Sequence, residues 1–141
     1  MASTPDSLAE RAVARCIVRA VNGDTVRLAL PGTDYELHLR LAAPLTVAAG
    51  QRVTGTIEAK ALRIHPARAG GQFIEPIAGE PRIVAGTVLL SDPERRRVLI
   101  DCAVPMWLDA GEGQDFSVIE EGGLVNCHVQ SGVEFREVGA G

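Results

Sequence analysis

The sequence predicts an all-β chain built from two tandem small five-stranded barrels, with one minor N-terminal helix, and three observations carry that prediction. Apolar residues recur with a period of two rather than 3.6. Turn signals punctuate these runs at short intervals, as in chains of hairpins. The second half also repeats the plan of the first at an offset of 72 residues. A length of 141 residues, 46% of them apolar, suffices for one compact domain or two very small ones.

Only residues 5–12 read as helical. The first strand is Val13 to Val21, followed by Asn22-Gly23-Asp24, where Asn-Gly readily takes the positive φ angles of a tight hairpin. Thr25 to Leu30 returns, with Val26, Leu28 and Leu30 on one face and Arg27 and Ala29 on the other. Pro31-Gly32 closes it. A third strand carries Tyr35, Leu37, Leu39 and Leu41 in alternation with Glu36, His38 and Arg40. After a loop at Pro44, Gly50-Gln51 opens a fourth strand in which Val53, Gly55 and Ile57 share a face, and Ala61 to Ile64 reads as a short fifth.

Adding 72 carries Cys16 to Val88, Val26 to Val98, Leu28 to Ile100, Tyr35 to Trp107, Gly50 to Gly122 and Val53 to Val125. The units are then residues 11–66 and 81–138, joined by a linker over 67–80. Units of this size suggest an OB-like or SH3-like fold, since closing a sheet removes its exposed edges. At the same offset Leu37, Leu39 and Leu41 correspond to Asp109, Gly111 and Gly113, so the third strand of the second unit is expected to break there.

The segment Gly50-Gln51-Arg52-Val53 through Ile57-Glu58-Ala59-Lys60-Ala61-Leu62-Arg63-Ile64 resembles the closing strands of TOBE or Mop-type barrels. That resemblance implies tandem barrels and binding of molybdate or another small oxyanion. The chain has Val13-Ala14-Arg15-Cys16 where members of those families carry a Ser-Ala-Arg-Asn segment, and no ligand residue is carried over.

The net charge of -4 hides a division. Residues 11–68 hold nine cations against four acids, a net of +5, whereas residues 80–138 hold five arginines against eleven acids, a net of -6. Opposite fields of this kind steer encounter and set orientation, so a protein partner or self-association is expected, weakening as salt screens the charges. Arg15, Arg27 and Arg52 are candidate contacts on the basic unit, and they also admit single-stranded nucleic acid as an alternative partner. The second candidate surface is the loop 108–115, where Asp109, Glu112 and Asp115 lie beside Trp107. Trp107 reads equally as the main core residue of the second unit, matching Tyr35.

Catalysis is not expected. His38, His65 and His128 are scattered without a nucleophile motif, and adjacent Cys127 and His128 should face opposite sides of a strand. Cys16, Cys102 and Cys127 lack metal-ligand spacing and read as reduced core fillers. No cofactor or metal is expected. The chain has no apolar run near the roughly 20 residues of a membrane helix and no apolar signal core, so a cytoplasmic location is expected.

Overall fold

The alternating segments become strands in the computed structural model, which describes residues 8–138. A short helix, α1 (Leu8–Arg11), precedes them; residues 5–7 of the expected helix lie outside the described residues. The strands are β1 (Ala14–Asn22), β2 (Thr25–Ala29), β3 (Glu36–Leu41), β4 (Arg52–Lys60), β5 (His65–Ala67), β6 (Phe73–Glu75), β7 (Ala78–Gly79), β8 (Ile83–Asp92), β9 (Arg97–Asp101), β10 (Pro105–Asp109), β11 (Leu124–His128) and β12 (Glu134–Glu137). One 3₁₀ turn spans Phe116–Val118.

β1, β2 and β3 form an antiparallel meander, and β4 returns to pair with β1. Gly23 sits at φ 63° in the first turn, a left-handed value that glycine adopts freely. The alternation sends Ala14, Cys16, Val18, Val26, Leu28, Leu37 and Leu39 inward and leaves Arg15 and Arg27 outside. β12 then lies between β3 and β4, parallel to the former and antiparallel to the latter, so that β1-β2-β3-β12-β4 closes into a five-stranded barrel.

The closed barrel was legible; the origin of its fifth strand was not. Residues 61–64 contribute only a single bridge, Ala61 to Val129, and residues 134–137 from the far end of the chain take the expected place. Size decides this. Gly55 of β4 has no side chain, and the fully buried Phe135 fills that room: a Cβ on Gly55 would meet its ring at under 3.0 Å. Ala61 offers nothing of comparable volume.

β8, β9 and β10 repeat the meander, with the ladder irregularity between Val88 and Leu90 standing where the first half has one between Val18 and Ala20. Gly50 donates to Val18 O (2.7 Å) at φ 90°, and Gly122 donates to Val88 O (2.8 Å) at φ 86°. A constant offset of 72 does not survive, because the connections differ: 23–24 against 93–96 for the first turn, and 30–35 against 102–104 for the second. Pairing opposite Leu28 and Ile100 instead aligns Leu37 with Met106, and His38 with Trp107. The third strand of the second half is therefore continuous through Asp109, with buried Met106 and Leu108 supplying its core positions.

The same exchange occurs in reverse. The end of β4 runs parallel to β10, Gln130 N–H donates to Lys60 O (2.8 Å), Leu62 N–H donates to His128 O (3.0 Å), and β5 pairs with β11. Residues 54–67 and 124–138 thus run antiparallel to one another along their whole length. The segment 67–80 is not a bare linker, since β6 pairs with β8 and β7 with β3. One hydrophobic cluster runs through both halves, from Ala14 and Leu39 to Val84, Ile100, Cys127 and Phe135. Among the described residues no helix is long and apolar enough to cross a membrane.

Candidate functional site

Trp107 and Asp109 share the outer face of β10, but Trp107 is covered rather than open. Trp107 is 8% exposed and packs with Ala12 and Leu99 in a small separate cluster flanked by Leu89 and Leu90. It stands on the outer side of the β9–β10 pair, opposite Leu99, where Ala12 just beyond α1 packs on it and Arg11 donates to Leu89 O (3.1 Å). The Arg97 guanidinium lies 3.8 Å from the centre of the Trp107 rings, a cation–π contact. The indole therefore seats the N-terminal segment.

The loop after β10 is held by its own carbonyls. Arg96 donates to the carbonyls of Gly111, Glu112 (3.1 Å) and Gln114 (3.4 Å) and lies 5.3 Å from the Phe116 ring centre. Gln114 ties the loop to the backbone of Ile64 at both N–H (2.8 Å) and carbonyl (3.1 Å). Asp115 caps the 3₁₀ turn, accepting from the Ser117 N–H (2.9 Å) and hydroxyl (2.7 Å), and these bonds hold its carboxyl below the usual range. Glu112 is exposed at the loop tip. Asp109 instead lines a polar cleft of about 330 Å³ with Arg40, Glu58, Lys60 and Glu134.

Of the three candidate arginines, Arg27 is partnered by Glu36 at 4.0 Å, and His38 approaches the same carboxylate at 3.7 Å. Arg15 and Arg52 share the outer face of the β1–β4 pair, where Arg15 stands opposite Thr54 and Arg52 opposite Ile17.

The three cysteines are buried, and desolvation pushes each thiol from 9.0 to about 12. Thiolates are the reactive form, so these groups are inert in the folded chain. A folded-state pKa above the unfolded one stabilises the fold fully below pH 9, and this contribution fades as pH rises toward 12. Native protein at pH 8 should not react with 4,4′-dithiodipyridine until urea is added, and the urea midpoint should fall between pH 9 and 10.5. Prompt labelling of the native chain would contradict this burial. Among the described residues no group of three or more His, Cys, Asp or Glu is placed to hold a metal ion.

A concave feature lies where the sequence suggested only a linker. Glu75, Ile83 and His128 stand side by side on β6, β8 and β11, so they share one outward face. The chain leaves β6 at Pro76, touches β3 through Ala78–Gly79 and returns at Arg82, whose N–H donates to Glu75 O (2.8 Å). Glu80 fastens this strap by accepting from Gly132 N–H (2.9 Å). Two open hollows of about 600 and 500 Å³ lie between the strap and the sheet and share Pro76 and Arg82, within the size range of ligand sites. Ile77 is 57% exposed at this groove, and Leu62, bonded to His128, is 58% exposed. The side chains of Glu75, Arg82, His128 and Ser131 make no hydrogen bond or ion pair among the described residues. Pro76-Ile77 and Pro81 were the available signal, but prolines in a connection read first as spacing.

No protein-family model, curated protein or solved structure matches the chain.

Proposed function

We propose that this protein is a non-enzymatic binding module that takes a protein partner in the groove between the 76–82 strap and β11. The observation that carries this reading is the meeting of apolar and polar groups there. Ile77, one of the two most exposed large hydrophobic residues among those described, lines the groove with Glu75, Arg82, His128 and Ser131, whose side chains have no partner among the described residues. An apolar rim beside uncommitted donors and acceptors is the composition of a contact surface. The inert thiols are consistent with a non-catalytic role.

In the same reading the scaffold is a duplicated barrel of the OB-like or SH3-like kind whose halves have exchanged closing segments. The matched bulges and the matched glycines at 50 and 122 support that ancestry.

The test is site-specific photocrosslinking in cells with benzoylphenylalanine at position 77, compared with position 21, where Val21 is also exposed at 44% but lies outside the groove. A discrete adduct is expected at 77 only, and binding of the partner so identified should fall at least tenfold in Ile77→Asp with the melting temperature unchanged. Equal adducts at both positions, or none, would sink the reading.

A further inference from the structure

Strand exchange places an arginine that sequence reasoning assigned to the acidic half onto the basic barrel. β4 is flanked by β1 on one edge and β12 on the other. Arg136 of β12 stands opposite Thr56, Arg15 of β1 stands opposite Thr54, and Arg52 lies one outward position before Thr54 on β4 itself. Alternation puts all five side chains on the outside of the barrel, with the half-buried Ile17 between Arg15 and Arg19. Directly opposed residues on such a sheet are about 5 Å apart and diagonal ones about 7–8 Å, which sets Arg15 and Arg52 together beside Thr54 and Arg136 beside Thr56, so the three long guanidinium arms bracket the two threonines from adjacent strands.

The donors of this face are uncommitted. Arg15, Arg52 and Arg136 have no ion pair or hydrogen bond among the described residues, and neither do the hydroxyls of Thr54 and Thr56. Arg27, by contrast, already has Glu36. Carboxylates bound the patch at one end: Glu58 and Glu134 oppose each other one outward position beyond Thr56. Glu137 accepts from the N–H (2.8 Å) and hydroxyl (2.6 Å) of Thr46.

We propose that Arg15, Arg52, Arg136, Thr54 and Thr56 form a site for a diphosphate or triphosphate group, independent of the groove. Planar guanidinium forks match phosphoryl oxygens in pairs, and the threonine hydroxyls supply further donors. Three arginines spread over three strands exceed what one phosphoryl group occupies and suit two or three linked groups. Glu58 and Glu134 close one end, which disfavours a long polyanion crossing the barrel. Stacking platforms for a single strand are few among the described residues: Arg97 lies over Trp107, Arg96 lies over Phe116, Phe135 is fully buried and the Tyr35 hydroxyl accepts from Ile74 N–H, which leaves the half-buried Phe73 alone. The ligand is thus a compact phosphoanhydride, either inorganic or carried by a nucleotide.

Isothermal titration of the full chain with pyrophosphate at low salt tests the site, with ADP distinguishing the nucleotide source. Binding should fall about tenfold or more in Arg136→Gln and in Arg15→Gln, as expected for loss of a charged hydrogen-bond donor. It should fall several-fold in Thr54→Val, which keeps the strand shape, and stay unchanged in Arg95→Gln and Ile77→Asp. ADP binding equal to pyrophosphate shows that the phosphoryl groups alone are read, and tighter ADP binding identifies the nucleotide as the source; either supports the site. Absence of heat with pyrophosphate, or wild-type affinity in Arg136→Gln, would overturn it, as would equal weakening in Arg95→Gln.

Discussion

Phe135→Ala should lower the unfolding free energy of the chain by about 3–5 kcal/mol, the usual loss when a fully buried phenylalanine is truncated without collapse of the site. A domain of this size is typically stable by only about 5–15 kcal/mol, so this is a large fraction. The Phe135 side chain is completely buried and packs on Gly55, where no other side chain can refill the space. β12 holds it on both edges, pairing with β3 and β4, and the cavity would open at the joint of the five-stranded barrel. Urea denaturation followed by circular dichroism measures the effect, with Phe73→Ala on the short strand β6 as a milder comparison. A loss below about 1 kcal/mol would mean that the barrel closes without this side chain.

Dividing the chain between Ala69 and Gly70 should leave neither fragment folded, although the cut avoids every strand. Fragment 1–69 retains β1 to β5 but loses β12, which exposes the ladder edges of β3 and β4 and empties the Phe135 position. Fragment 70–141 retains β6 to β12 but loses residues 58–67, which pair with β10 and β11. Open edges and an incomplete core cannot offset the chain entropy of ordering about 70 residues. Mixing the fragments should restore the far-ultraviolet spectrum of the intact chain. A cooperative thermal transition in either fragment alone would show that the halves are independent domains, as the division at 67–80 implies.

Local pattern carried much of the architecture. Val26, Leu28, Leu37 and Leu39 were assigned inward by alternation alone and are all buried, and Asn22-Gly23 marked its hairpin. The cysteines were read as buried fillers and are buried. Trp107 failed to follow its assigned partner because the intervening connections differ in length, so a single offset drifts across strands. Alternation could not reveal that Trp107 faces outward and is still buried, since Ala12 packs on it from a distant part of the chain. Arg15, Arg27 and Arg52 looked equivalent in sequence, yet among the described residues only Arg27 meets a carboxylate.

Short strands with one apolar face, the places of the tight turns and the charge difference between the halves are all legible in local sequence. Those properties depend on neighbours two to four residues apart, so side-chain alternation and backbone preference are enough to specify them. Which strand closes the five-stranded barrel is settled by long-range contacts instead. That choice rests on Phe135 fitting over Gly55 and on residues 54–67 pairing with 124–138, contacts across some seventy residues that leave no periodic trace. The same exchange brings Arg136 beside Arg15 and Arg52 and folds the strap at 76–82 over His128, so both candidate sites are products of long-range pairing.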